Sequence, residues 1–102
     1  AWTEACLARI GEREPTVCAW AHVAADEARR AAARIGSDDG RPLAGLPVGV
    51  KDVIDVVGMP TGCNSPLESG RIAASTAAAV RRLEAAGAVV LGKTVTTEYA
   101  FT

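Results

Sequence analysis

The chain has 102 residues, 49% of them hydrophobic and 23% charged, with a formal net charge of −1. That is enough for one small globular domain and too little for two. The balanced charge excludes a basic face for nucleic acid, and no apolar run approaches the length of a membrane span.

In chain order, Thr3 is placed to cap a short helix in which Cys6, Leu7 and Ile10 share a face, ending near Gly11 with Pro15 beyond it. Val17 to Val23 reads equally as an extended strand or a helix start. Ala24 to Ile35 is predicted to be an amphipathic helix, with Ala24, Ala28, Ala31 and Ile35 along one side. Arg29, Arg30 and Arg34, interleaved with Asp26 and Glu27, form its solvated face. Gly36 to Gly40 is a polar loop.

Arg41 to Pro47 contains two prolines and a glycine and is expected to be a shaped, non-helical lead-in. The β-branched run Val48 to Val57 is predicted to be a strand, and Gly58-Met59-Pro60-Thr61-Gly62 a turn. Ser75 or Thr76 is expected to cap a helix whose buried stripe is Ala79, Val80, Leu83 and Ala86, with Gly87 at its C′ position. Ala88 to Leu91 reads as a buried strand. Strand, helix, strand in that order predicts a right-handed crossover in an α/β sheet.

Gly87 to Thr94 satisfies G-x-x-x-x-G-K-T literally. A phosphate-binding loop needs a strand before the motif and a helix opening at Lys-Thr. Here a helix precedes, and the intervening residues are themselves the strand. Nucleotide binding is therefore rejected. Cys6, Cys18 and Cys63 form no C-x-x-C pair and no zinc pattern with the single histidine, His22, which points to a reducing, cytoplasmic setting.

Lys51 stands out in VGVKDVI, where a buried strand wants apolar side chains. Alternation puts Gly49, Lys51 and Val53 on one face, and Val48, Val50 and Asp52 on the other. Asp52 thus points away, while Asp55 shares the lysine's face. Gly49 leaves room for a close approach. Burying a lysine without a carboxylate favours the neutral amine, which can act as a general base. The alternative is a strand-end lysine that snorkels to water or pairs with Asp55.

The ordered segments PLAGLPVGVKDVIDVVGMPT and AAVRRLEAAGAVVLGKTVTTEYA closely resemble the N-terminal part of the amidase signature family. The recurring pattern is a Pro-Leu-x-Gly-(Ile/Leu)-Pro lead-in, a V-K-D strand and a G-x-P-T turn. A helix ending R-L-x-x-A-G-A, a strand with G-K-T, and a T-E-(F/Y)-A segment follow. These occur from Pro42 to Ala100, and IGEREPTVCAWAHV resembles the preceding region, so the resemblance spans essentially the whole chain.

The resemblance implies an incomplete amidase signature fold of α/β class, with N-terminal helices followed by part of a mixed β-sheet with flanking helices. Residues 1–102 would be the N-terminal portion of a single amidase domain, truncated at its C-terminal end and also at its N-terminal end. It implies an amidohydrolase acting on a carboxamide through a Ser–cis-Ser–Lys triad, with Lys51 as the base and no metal or cofactor. Both serines would lie in a Gly/Ser-rich stretch beyond Thr97 to Ala100, so the fragment alone would be inactive.

Ser37, Ser65, Ser69 and Ser75 lack that context. A small-molecule amide is the expected partner, without nucleic acid or membrane, and a homo-oligomer is compatible. An amidotransferase subunit using the same triad and a non-catalytic truncated piece are the competing readings. Gly62-Cys63-Asn64-Ser65 departs from the T-x-G-S common after the turn, and Ser75-Thr76 stands where an acidic residue is frequent. Both departures leave the substrate class open.

Overall fold

A computed structural model describes residues 2–35, 40–68 and 70–100. The predicted loop at Ser37 and the residue Ser69 lie outside the described residues. In chain order the elements are α1 (Trp2–Val17), β1 (Trp20–Val23), α2 (Ala25–Ile35), β2 (Pro47–Lys51), α3 (Ala78–Ala85) and β3 (Val89–Thr94). The fold is α/β, with a mixed three-stranded sheet in the order β1-β3-β2. β3 lies at the centre, parallel to β2 and antiparallel to β1.

α1 runs past the stop expected at Gly11 and carries Pro15 in its last turn. The chain there is held by Glu14, whose backbone carbonyl accepts from Cys18 N at 2.8 Å. Its carboxylate accepts from Ala19 N at 2.8 Å and Trp20 N at 2.9 Å. These bonds lead the chain directly from α1 into β1, so of the ambiguous Val17 to Val23 run, Val17 ends the helix and Trp20 to Val23 is strand. α2 matches its prediction, with Asp26 and Glu27 in the first turn and Arg34 in the last, as the helix dipole favours.

β3 is buried on both faces, as a central strand between packed layers should be. On one face Val90 packs with Ala24, Val50, Val56, Met59 and Val80. On the other, Val89 and Leu91 pack with Leu7 of α1 and Ala28 of α2. The β2–β3 register jumps from Val48↔Val90 to Gly49↔Gly92, so Leu91 is a bulge residue without a partner on β2. One extra residue reverses the alternation that follows it. Lys93, opposite Val50, is thereby turned to the face of Val90.

α3 is shorter and more exposed than expected. Its N-cap is Ala77, with no side-chain cap, because the Thr76 hydroxyl instead accepts from Val57 N at 2.9 Å. Only Val80 of the predicted stripe is fully buried, and Leu83 is 37% exposed. The C-terminal end follows the prediction. Gly87 at φ 103° donates to Glu84 O at 3.0 Å and Ala88 donates to Leu83 O at 3.0 Å, closing a Schellman motif. A Cβ on Gly87 would sit 2.7 Å from Ala44 Cα, since the lead-in lies against this helix end. Leu43 N donates to Ala86 O at 2.8 Å and Gly45 N to Gly87 O at 2.9 Å. The two sequence-distant motifs P-L-A-G-L-P and L-E-A-A-G-A therefore fold as one unit.

Candidate active site

The predicted strand Val48 to Val57 ends at Lys51. Asp52 N makes the last bond to β3, donating to Thr94 O at 2.9 Å, and the chain then turns as Ile54 N donates to Lys51 O at 2.9 Å. At this point the Asp52 side chain faces inward, toward a buried cation.

That cation is Lys93, which is 0% exposed and lies 3.2 Å from Asp52 Oδ1. Its ammonium also donates to Pro60 O at 3.1 Å and Thr61 Oγ1 at 3.2 Å. Two of the lysine's three N–H donors thus bond uncharged oxygens, and the Asp52 carboxylate supplies the opposite charge. The second carboxylate oxygen of Asp52 accepts from Gly62 N at 3.3 Å, and its carbonyl from Cys63 N at 3.0 Å. The G-M-P-T-G turn is thus tied to the end of β2 from both sides.

Lys51 stands on the opposite face, as alternation predicted, but that face is exposed rather than buried in this chain. The space beside Gly49 is filled: a Cβ there would meet the Trp20 ring and Thr94 Cγ2, each at 2.9 Å. Asp55 does not pair with Lys51 but with Arg71, at 3.0 Å. Lys51 makes no ion pair with any described residue. The desolvation argument for Lys51 therefore does not hold within this chain, and the strand-end lysine open to water describes it.

Around the carboxyl ends of β2 and β3 lie two open hollows that meet at Asp52 and Asn64. One, of about 360 Å³, is lined by Cys18, Ala21, Asp52, Asn64, Val95 and Thr96. The other, of about 370 Å³, is formed by Asp52, Gly62, Asn64, Ser65 and Pro66. Cys63 is buried, and it and Asn64 both adopt φ 52°. The T-E-Y-A segment joins this loop, with Tyr99 N donating to Cys63 O at 2.8 Å. Ser65 is buried, and its hydroxyl accepts from Leu67 N at 3.3 Å, a turn role. His22 is half-buried on β1. Gly87 to Thr94 contains a helix end and β3 itself, so no phosphate-cradling loop exists there.

Sequence reasoning meets Lys93 in a false phosphate loop and in the recurring G-K-T segment, and misses its pairing with Asp52. A partial signal is present: alternation sets Asp52 with the apolar Val48 and Val50, and a carboxylate on such a face requires a cationic or hydrogen-bonding partner if that face is buried.

Fold and site together define an α/β unit that presents a lysine at the carboxyl end of a parallel strand pair. The chain belongs to the amidase family, that of the amidase signature enzymes, whose family model, described as Amidase, matches residues 1–102. It is 44% identical over 102 residues to an amidase of Pseudomonas putida, covering 96% of this chain and 22% of that protein. To a glutamyl-tRNA(Gln) amidotransferase subunit of Rhodopirellula baltica it is 43% identical over 99 residues, covering 92% and 20%. A peptide amidase solved with the competitive inhibitor chymostatin superposes with a TM-score of 0.87 at 36% identity, covering 96% of this chain and 21% of that one. The chain thus spans about a fifth of the length of these relatives.

Proposed function

We propose that residues 1–102 are the N-terminal portion of a single amidase domain that hydrolyses a carboxamide, with Lys51 as the base of a Ser–cis-Ser–Lys triad. The observation that carries this reading is position. Lys51 ends β2 at the carboxyl edge of the parallel pair, unpaired by any described carboxylate, and ligands of open parallel sheets bind outside the carboxyl ends of their strands. Both serines would come from chain beyond Thr102 that packs over this face.

In the reaction, the Lys51 amine, desolvated only when that further chain covers it, takes a proton from the bridging serine as that serine takes one from the nucleophile. The serine oxygen then bonds to the amide carbon, and backbone N–H groups hold the oxyanion. The C–N bond breaks as the proton returns to the leaving amine, and water releases the acyl group. No metal or cofactor is required by these steps. The three cysteines are all free thiols, which suits a reducing, cytoplasmic location.

The test is Lys51→Ala in the full-length protein, with ammonia release from a simple carboxamide as readout. Turnover is expected to fall on the order of 10³-fold or more. Stability should stay within about 0.5 kcal/mol, because the side chain is exposed. Unchanged turnover refutes the assignment.

Membership of an amidotransferase is the second reading, favoured by the recurrence of relatives named as glutamyl-tRNA(Gln) amidotransferase subunits. Amide hydrolysis by the protein alone supports the amidase. Hydrolysis that appears only with added partner subunits supports the amidotransferase. A stop codon directly after Thr102 would leave only a non-catalytic piece.

A further inference from the structure

We propose that the buried Asp52–Lys93 pair is the positioning device for Lys51, holding the end of β2 so that the Lys51 amine points at the reacting atoms. This inference rests on the reading of Lys51 as the base. Asp52 is the residue after Lys51, and its own bonds and those of its partner converge on this point. Its N–H closes the ladder on Thr94, its carbonyl accepts from Cys63, and its carboxylate spans Gly62 N and Lys93 Nζ. Lys93 extends the tie to Pro60 O and Thr61 Oγ1.

The backbone on either side of the lysine is therefore anchored to β3 and to the turn at 60–63, while the lysine side chain itself is left untethered. A base on a long flexible stem is directed mainly by the backbone that carries it, and geometric error at a reacting centre is costly. A buried ion pair that served stability alone would be replaceable by apolar side chains of similar volume at little cost. That difference separates the two roles.

The experiment uses the full-length protein with Asp52→Asn/Lys93→Met, which removes both charges together. Thermal unfolding reports the fold, and carboxamide hydrolysis reports kcat and KM separately. The expected result is a folded protein whose kcat falls about 10²-fold, the scale of a misplacement of roughly 1 Å, with KM changed less than about twofold. A folded double variant with wild-type kcat overturns the proposal.

Should the double variant fail to fold, Thr61→Val removes one acceptor of Lys93 and keeps both charges. A lower kcat at unchanged KM is then expected, and an unaltered kcat overturns the proposal. Failure of the base reading is recognised separately, as Lys51→Ala with undiminished turnover. In that case the rate of reductive methylation of Lys51, followed by mass spectrometry, decides positioning. A changed rate in the double variant supports it, and an identical rate overturns it.

Discussion

Lys93 is a charged side chain with no exposure, held by one carboxylate and two uncharged oxygens. Taking such a charge out of water is expensive, and only a complete set of partners offsets it. Removing one partner leaves the other charged and buried. Asp52→Ala or Lys93→Ala alone is therefore expected to destabilise by about 3–5 kcal/mol, the range for a broken buried pair. Urea denaturation of the full-length protein would check this, and a loss under about 1 kcal/mol would contradict a fully buried pair. Lys51, next to Asp52 in the chain, behaves oppositely: exposed and unpaired, it is a residue whose loss should affect chemistry and hardly affect stability.

At the scale of elements, the tightest constraint is where β1 crosses Gly92. A Cβ at that position would lie 2.1 Å from His22 O and 2.9 Å from Val23 Cα, both backbone atoms that cannot rotate away. Gly92→Ala should therefore force β1 off β3 and cost about 3 kcal/mol, at the upper end of overpacking penalties. Amide exchange should rise at Ala24 N, bonded to Leu91 O, and at Val95 N, bonded to Ala19 O. Unchanged protection at both would contradict the packing. The glycine punctuation between α3 and β3 is readable locally, since Gly87 has the turn expected of it. The N-terminal cap is not, because Thr76 satisfies a loop amide from Val57 instead of its own helix. The end of β2 also departs from expectation. The run Asp52 to Val57 after Lys51 is rich in β-branched residues, yet past Asp52 its backbone bonds go to the turn at Lys51 O and to Ala77 N rather than to a strand ladder, so tertiary contacts override propensity.

For the whole molecule, the described residues form one sheet whose two outer strands, β1 and β2, each keep an edge unpaired. Trp2 is 61% exposed and Leu67 85%, with Val57 and Ile72 also open. Unpaired edges and apolar surface of this kind invite association. The 102-residue chain expressed alone is expected to sediment as a concentration-dependent mixture, to bind a hydrophobic dye and to hydrolyse no carboxamide. A dye-silent monomer at all concentrations would count against this. By itself the sequence determined the local grammar: where most helices and strands lie, that β2 and β3 belong to one α/β sheet, and that Lys51 and Asp52 face opposite ways. Those follow from short-range sterics and the two-residue period of a strand. Which of those faces is buried, and what Asp52 meets there, only the tertiary structure decided. The bulge at Leu91 shifts the register by one residue and turns Lys93 inward, and no pattern within either strand records that shift.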